Sequence, residues 1–324
     1  MMSLLSQSLL VLYFFQTFIN VCGWGPVGHH IIVRLSQSQL IDSTSEWIRS
    51  LTPWHWNGNL SAMASWADDV LYPDTNPTGY GNWQWSRELH YVNIPDWICE
   101  YKPERDCIND KCIVGAIKNY TKRLETELDD IQQKEALYFL IHFIGDIHQP
   151  LHSSFSSDRG GNSVRGYFMN ETSRTNLHTL WDVGLIMMRL RRDFQQNISH
   201  YYEHIYQLML NQSSFDDNDN NVEQWIKENI NLVCGQIYFD EHNAIMNASA
   251  NFTLGEIYYQ KFIPIIEQRL AYGGRRLATL LNQLGKNRLQ KPSNNKDKLC
   301  SNSVFLIIIL CVESILAIAV HAIV

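Results

Sequence analysis

Three histidines and an aspartate interrupt an otherwise apolar segment, residues 135–152, and these residue types commonly bind metal ions. His142 and Asp146 are four positions apart, so a helix places both side chains on one face, where they can bind one ion. His152 follows Pro150, whose ring ends regular helical hydrogen bonding and lets the chain bring in a ligand from another direction. Burying these polar groups is unfavourable unless a divalent cation compensates them. The segment therefore predicts a metal-binding helix in the core.

A second pair, His178 and Asp182, repeats the spacing of four. Together with His152 this pair offers two nitrogens and one carboxylate, which leaves coordination positions open for water or substrate. The donors are oxygen and nitrogen atoms without a thiolate, which suits zinc in a hydrolytic rather than a structural site. Asp68 and His90, nearer the N-terminus, offer another carboxylate and another imidazole. They extend the prediction to a second set of ligands: Asp68, His90, His142 and Asp146.

The overall charge argues against a protein that holds nucleic acid through Lys and Arg. The 324-residue chain has 26 Lys and Arg against 33 Asp and Glu, a formal net charge of −7. A basic footprint is therefore absent. If the substrate is a phosphate ester, bound metal must supply the positive charge.

Helical periodicity dominates the chain, and no internal repeat or long linker is visible. The predicted fold is mainly α: a single compact helical domain with a small β-hairpin and the metal site in a cleft. The strand candidates are residues 88–94 and 163–169, and a Gly160-Gly161-Asn162 turn before the second is expected to line the site. The polar tract 211–221 is predicted to be an exposed loop. The predicted helices are residues 27–39, 114–131, 134–147, 177–191, 222–237 and 255–284.

Both ends of the chain carry apolar segments typical of processing signals. Residues 1–23 are predicted to be a secretory signal peptide, residues 24–290 the functional domain and residues 291–303 a polar spacer. Residues 304–324 are apolar, and we favour a glycolipid-anchor signal over a transmembrane segment because no Lys or Arg follows them. Either would place the protein at the cell surface, facing outwards from a membrane. Seven glycosylation sequons agree with secretion: Asn59, Asn119, Asn170, Asn197, Asn211, Asn247 and Asn251.

The cysteine spacing suggests two disulfides in an oxidising compartment. Cys107 and Cys112 are close enough for a small local loop, which leaves Cys99 and Cys234 as a long-range pair and Cys300 without a partner. No Cys-x-x-Cys motif occurs, so a zinc finger is not expected.

Six motifs, in order from Trp24 to about Leu284, resemble the secreted zinc-dependent single-strand-specific nucleases. That family includes fungal nucleases, plant bifunctional nucleases and trypanosomatid 3′-nucleotidase/nucleases. The cysteine positions are similar too, and they support the pairs Cys99–Cys234 and Cys107–Cys112. The motifs are Trp24-Gly25-x-x-Gly28-His29, Trp66-Ala67-Asp68, His90-Tyr91, His142-Phe143-Ile144-Gly145-Asp146-x-His148-Gln149-Pro150-Leu151-His152, Gly160-Gly161-Asn162 and Asn176-Leu177-His178-x-x-Trp181-Asp182.

The resemblance implies three zinc ions. His148 has no ligand role in the family pattern and is expected to be a buried, hydrogen-bonded histidine. Trp24 would become the first residue after signal cleavage and would bind through its α-amino nitrogen and carbonyl oxygen. The implied ligand sets are Asp68, His90, His142 and Asp146 for the first ion; His152, His178 and Asp182 for the second; and Trp24, His29 and the bridging Asp146 for the third.

The resemblance also implies an endonuclease acting on single-stranded DNA and RNA, with 5′-phosphorylated products and 3′-nucleotidase activity. A zinc-activated hydroxide would attack the phosphorus, with Asp146 and Asp68 as the catalytic residues. Tyr91 would stack on an unpaired base, and Asn93 and Asn162 would contact the substrate. The partners expected are single-stranded nucleic acid or 3′-nucleotides, a membrane through the C-terminal tail, and no second copy of the chain.

Two positions depart from the family pattern. Leu71 stands where many relatives have a basic residue, and Asn93 where many have an aspartate. An amide can hydrogen-bond but accepts no proton at neutral pH, so rate, pH optimum or base preference could differ. The alternatives are a zinc-dependent phospholipase C-like phosphodiesterase and a non-catalytic, surface-anchored binding protein with the same fold.

The position of the first mature residue gives a testable prediction. Because the α-amino group of Trp24 is the expected ligand, mature protein that begins at Gly25, or that keeps Gly23, should bind one zinc fewer than protein that begins at Trp24. N-terminal sequencing combined with native mass spectrometry measures both quantities on one sample. Equal zinc content in all three forms would contradict the ligand role of Trp24.

Overall fold

The structure is a computed structural model, and it describes residues 24–71, 83–126, 129–211 and 221–290. The predicted signal peptide, polar spacer and C-terminal apolar segment lie outside these ranges, as do Cys300 and most of the predicted 211–221 loop. Within the ranges, no helix combines the length and the apolar character needed to cross a membrane.

Helices make up most of the described chain, and the predicted mainly α class is confirmed. Short 3-10 helices cover Trp54–Trp56, Leu60–Met63, Gln84–His90, Ile108–Asp110 and Pro150–His152, and π-helical turns cover Leu180–Gly184 and Val233–Ile237. The α-helices are α1 (Pro26–Gln37), α2 (Asp42–Leu51), α3 (Trp66–Asp69), α4 (Pro103–Asp106), α5 (Ile113–Glu125), α6 (Asp130–Asp146), α7 (Leu177–Thr179), α8 (Leu185–Phe194), α9 (Ile198–Asn211), α10 (Val222–Leu232) and α11 (Glu256–Gln290).

The helix predicted over residues 114–131 is shorter in the structure, because it ends at Glu125. The hydroxyl of Thr126 donates to the carbonyl of Arg123, and the side chain of Asp129 accepts from the first amides of α6, so capping groups close one helix and open the next. Sequence periodicity alone did not separate these two helices. It also missed α2 and α9, which are amphipathic and partly exposed.

The strands form two small sheets, and the two strand candidates do not pair with each other. β1 (Val92–Ile94) runs parallel to β2 (Ser153–Phe155), with Val92 opposite Ser153. β3 (Arg165–Phe168) lies between antiparallel β4 (Thr175–Asn176) and parallel β5 (Phe252–Leu254). The small hairpin therefore joins β3 to β4. The part of the first candidate from residue 88 to His90 is 3-10 helix.

Helix α6 occupies the centre of the core. From Ala136 to Asp146 every residue is buried, so this part of α6 is covered on all sides. The ring of Phe139 stacks on Tyr120 of α5 at 4.9 Å and meets Trp66 of α3 at 5.2 Å. His142 and Asp146 lie within this buried, largely apolar part of the helix, so both side chains must be buried, which fixes the position of the metal-binding candidates.

Two disulfides connect the surface to this core. Cys99 is bonded to Cys234 across 135 residues, and Cys107 to Cys112 across five. These are the pairs that the sequence predicts. The first connects the segment after β1 to the π-helical turn that follows α10.

Removing the Phe139 ring should destabilise the fold strongly. Because Phe139 is fully buried among aromatic rings, we expect Phe139→Ala to lower the free energy of unfolding by about 3–5 kcal/mol. Ile131→Ala on the same helix is the control: Ile131 is 75% exposed, so the change should stay within about 0.5 kcal/mol. Urea denaturation followed by circular dichroism measures both. Similar losses in the two variants would contradict this description of the core.

Candidate metal centre

The structure brings eight histidine and aspartate side chains from six parts of the chain into three clusters. Helix α1 supplies His29, α3 supplies Asp68, and the 3-10 helix before β1 ends at His90. The donor atoms within each cluster lie within 4.8 Å of one another. The clusters are His29, His142 and Asp146; Asp68, His90 and His142; and His152, His178 and Asp182.

His142 belongs to both of the first two clusters, and the carboxylate of Asp146 contacts residues of both. Its Oδ1 lies 3.1 Å from Nε2 of His29, and its Oδ2 lies 2.9 Å from Nδ1 of His90 and 3.3 Å from Nε2 of His142. Asp68 completes the second cluster, with its Oδ1 3.4 Å from Nε2 of His142. One carboxylate thus faces two neighbouring groups of imidazoles, as a bridging ligand must.

The third cluster depends on a local change of helix type. His178 lies in α7 and Asp182 in the π-helical turn that continues it, and Nε2 of His178 is 3.3 Å from Oδ2 of Asp182. The α7 helix begins where the side chain of Asn176 accepts from the amide of Thr179. Such π-helical turns are frequent at functional sites because the wider turn redirects side chains.

Backbone carbonyls orient three of the imidazoles. The Nδ1 atoms of His142, His152 and His178 lie 2.8, 2.6 and 2.7 Å from the carbonyls of Ala64, His90 and Gly160, respectively. A carbonyl only accepts, so each Nδ1 carries a proton, and in the neutral ring Nε2 then has the lone pair that can bind a metal ion. Such outer hydrogen bonds are typical of metal-ligating histidines.

The Gly160 carbonyl stands in an unusual turn. Arg159, Gly160 and Gly161 are all in the left-handed region, with φ of 58°, 65° and 84°. The carboxylate of Asp158 accepts from the amide of Gly161 at 2.7 Å and holds the turn closed. Two glycines suit this conformation because they have no Cβ. The predicted turn is present, and it contributes a carbonyl that positions His178.

Several buried nitrogen and oxygen atoms of the clusters lack hydrogen bonds within the part of the chain that the structure describes. Orphaned buried polar atoms are unfavourable and rare in native proteins, and here they converge in groups of nitrogen and oxygen. This donor set fits divalent zinc, which compensates several such atoms at once. The atoms are Nε2 of His29, His142 and His152 and the carboxylate oxygens Oδ1 of Asp68, Oδ1 of Asp146 and Oδ2 of Asp182.

The protonation states follow from burial and mutual charge. Burial and repulsion from His142 lower the pKa of His29 to about 4, and burial next to His152 lowers the pKa of His178 to about 3. Burial acts in the same direction on His142, but the negative charges of Asp146 and Asp68 outweigh it and raise the pKa of His142 well above its usual value. Burial and repulsion from Asp146 raise the pKa of Asp182 well above its usual range. The carboxyl of Asp182 thus needs a cation or a proton.

The other predicted site residues lie around the clusters. Trp24 is fully buried, and the next amide, of Gly25, donates to the carbonyl of Asp182 at 3.0 Å, so residue 24 is close to the third cluster. Tyr91 is half-buried directly after His90. Leu71 is only 1% exposed, so its side chain is packed in the interior.

The two asparagines predicted to contact substrate have different surroundings. Asn93 is half-buried in β1, opposite Ser154. Asn162 is also half-buried, and its amide nitrogen donates to the carbonyl of Arg159 at 2.9 Å, within the glycine turn. Substrate contact by either residue stays a prediction.

Sequence reasoning missed residues that orient the donors. Gln149 donates from Nε2 to Oδ1 of Asp182 at 2.5 Å, and its own Oε1 accepts from the amide of Leu151, which connects Asp182 to the turn that carries His152 of the same cluster. The available signal was its position between His148 and Pro150 in the histidine-rich segment. The role of Asp158 had no signal in the sequence beyond its position before two glycines.

A helical scaffold with clustered imidazoles and carboxylates defines the class of metal-dependent hydrolases. A profile of the S1/P1 Nuclease family matches residues 24–286. The chain is 34% identical to Endonuclease 3 of Arabidopsis thaliana over 274 residues, 81% of this chain and 88% of that protein. It is 26% identical to Nuclease S1 of Aspergillus oryzae (80% and 91%) and 27% identical to Nuclease P1 of Penicillium citrinum (83% and 100%). The chain belongs to the S1/P1 nuclease family, whose members are phosphodiesterases.

The contact between Gly145 and His29 gives a prediction about the first cluster. A Cβ atom added at Gly145 would collide with Nδ1 of His29, so Gly145→Ala must displace this imidazole. Because misplacing a site group by about 1 Å can lower a rate by about 100-fold, we expect activity to fall by that order and metal content to drop. Gly235→Ala is the control, since a Cβ there meets nothing within 4 Å. Unchanged metal content in Gly145→Ala would show that His29 is not needed for metal binding.

Proposed function

We propose that the chain is a zinc-dependent, single-strand-specific endonuclease that gives 5′-phosphorylated products and has 3′-nucleotidase activity. The observation that carries the proposal is the convergence of buried, hydrogen-bond-deficient imidazole and carboxylate atoms in three clusters. Membership of the S1/P1 nuclease family supports a phosphodiester substrate. The acidic composition also agrees, because bound metal then provides the charge that attracts phosphate.

We propose three zinc ions in the arrangement that the sequence suggests. The second and third clusters would each hold one ion, and Asp146 would share in a third ion with His29 and the amino terminus of a mature chain starting at Trp24. The distances from Asp146 to His29, His90 and His142 support the bridging assignment. The burial of Trp24 next to the carbonyl of Asp182 is compatible with a terminal ligand at that point.

The chain's own residues would hold the reacting groups in a defined geometry. When bound, zinc supplies an activated water nucleophile and positive charge for the phosphoryl group. Asp146 would keep both of its oxygens committed to neighbouring ions, while the hydrogen-bonded imidazoles of His142, His152 and His178 hold fixed directions. Fixed donors require no reorganisation during the reaction, which is the main source of electrostatic catalysis.

The proposed substrate approaches the centre at the two donors that retain exposure. The side chain of Asp68 is 13% exposed and that of His178 is 9% exposed, whereas His142 and Asp146 are fully buried. A phosphate would reach such a recessed centre more readily from a nucleotide that is free of its stack and its pairing partner. This supports a single-strand preference, with the half-buried Tyr91 next to His90 as the proposed base-stacking residue.

The surface supports a protein processed in the secretory pathway. The asparagines of all seven sequons are exposed, including Asn59 at a helix cap and Asn119 on α5. Two disulfides favour an oxidising compartment. We therefore propose a glycosylated, monomeric enzyme that is exported after removal of residues 1–23. Anchoring through residues 304–324 stays a prediction.

The proposal is tested by substrate choice and by one ligand substitution. Purified mature protein should cleave denatured DNA and RNA, cleave duplex DNA far more slowly and release phosphate from 3′-mononucleotides. His178→Ala should lower kcat/KM by at least about 100-fold, since even outer groups around a metal contribute about 10–100-fold. His242→Ala, at an exposed position, is the control. Turnover of phosphatidylcholine without nucleic acid cleavage would favour a phospholipase C. If neither substrate is turned over, the result would favour a binding protein.

A further inference from the structure

A buried polar network surrounds His148, the one histidine of the central segment without a place in the three clusters. His148 is fully buried, and so are Arg269 and Arg276 of α11 to within 3%. Glu228 and Asn229, at adjacent positions in α10, complete the network. We propose that these five residues position the turn from Ile147 to His152 and thereby set the metal affinity of the cluster His152, His178 and Asp182. The proposal rests on the zinc centre proposed above.

The network begins with the carbonyl of Ile144. In a regular helix the amide of His148 would donate to it, but that amide donates to the carbonyl of Gly145 instead, because the helix tightens before Pro150. Nδ1 of the His148 side chain lies 2.7 Å from the Ile144 carbonyl and donates in place of the amide. Its Nε2 must then accept, and Nη1 of Arg276 donates to it at 3.1 Å.

Two other carbonyls beyond the end of α6 are capped by neighbouring helices. The amide nitrogen of Asn229 donates to the carbonyl of Ile147 at 2.7 Å and to the hydroxyl of Ser153 at 3.2 Å. Nε of Arg269 donates to the carbonyl of His148 at 3.2 Å. Asn229 therefore contacts both ends of the turn that contains His152, and it fixes the span between them.

The charges of the network suit its location at a helix C-terminus. Arg269 and Arg276 are two cations near the negative end of the α6 dipole, a favourable arrangement. Glu228 accepts from both guanidinium groups at 2.6 to 2.9 Å, and Asn229 accepts from Arg269 at 2.6 Å. Residues of α10 thus hold the two arginine side chains of α11, and neither arginine depends on a metal ligand for its position.

The turn connects the network to the third cluster, because it contains one ligand of that cluster and a residue that contacts another. His152 lies between the two ends held by Asn229, and Gln149 in the same turn donates to Asp182. The anchors of His142 and Asp68 lie elsewhere, at the Ala64 carbonyl and in α3. Loss of the network should therefore release the ion of the third cluster before the ions bound near Asp146.

The experiment compares four variants with wild-type mature protein. His148→Leu removes both hydrogen bonds of the ring, and His148→Asn restores an amide donor close to Nδ1. Asn229→Asp keeps an acceptor for Arg269 but removes the donors to Ile147 and Ser153. Glu267→Gln is the matched control: Glu267 is 4% exposed on α11 and pairs with Arg189 at 2.7 Å, away from the turn.

The melting temperature of each protein is measured after a chelator has removed the metal and again after loading with zinc. The number of zinc ions that each chain retains is then measured in the presence of a competing chelator. We expect His148→Leu and Asn229→Asp to weaken the most loosely held zinc by about 10–100-fold and to reduce the zinc-dependent rise in Tm. His148→Asn should recover most of the wild-type affinity. Glu267→Gln should lower both melting temperatures alike and leave the rise unchanged.

The inference is overturned if the zinc-dependent rise in Tm is the same in His148→Leu, Asn229→Asp and wild type, or if Glu267→Gln reduces it as much. A purely structural role would shift the metal-free and zinc-loaded melts equally. Zinc binding by the wild type separates the two ideas: a wild type that retains no zinc overturns the proposed function as well, whereas normal zinc binding in every variant overturns the positioning role alone.

Discussion

The fold depends on the requirement that the polar atoms at its centre be compensated. Helix α6 is apolar on all sides from Ala136 onwards, yet it carries His142 and Asp146 in full burial. Several of the donor atoms around them have no hydrogen-bond partner in the described chain. Each buried, unsatisfied group destabilises a protein by about 1–3 kcal/mol, and charged groups by more. A divalent cation removes several such penalties together, so metal binding and the stability of the core are one property of this protein.

The main features of this centre could be predicted from the sequence because they are local. Residue spacing predicts that His142 pairs with Asp146 and His178 with Asp182, and an apolar context predicts burial. Asp68 and His90 were added to this set by residue type, and the place of His29 was implied by resemblance to a family, since no periodicity relates residues so far apart in the chain. The mainly α class and most long helices followed from hydrophobic periodicity.

The remaining features are set by hydrogen bonds that periodicity does not show. The break between α5 and α6 depends on caps at Thr126 and Asp129, and the strand at residues 92–94 pairs in parallel with Ser153–Phe155, which lies far along the chain. The function of His148 follows only from seeing which carbonyl its ring reaches. Features that depend on one residue with an unusual backbone conformation or a capping role therefore cannot be predicted from the hydrophobic pattern of the sequence.

The Cys99–Cys234 disulfide divides the metal centre topologically. The covalent loop that it closes contains His142, Asp146 and the whole third cluster, whereas His29, Asp68 and His90 lie on the chain before it. When the disulfide is formed, the third cluster thus lies within a covalently closed loop. The disulfide already reduces the conformational entropy of this loop in the unfolded chain. The proposed ions near Asp146 would instead join the segment from residue 24 to Cys99 to that loop. Within the described residues no disulfide makes this connection, so metal loss would loosen the N-terminal segment while the disulfide loop stays closed.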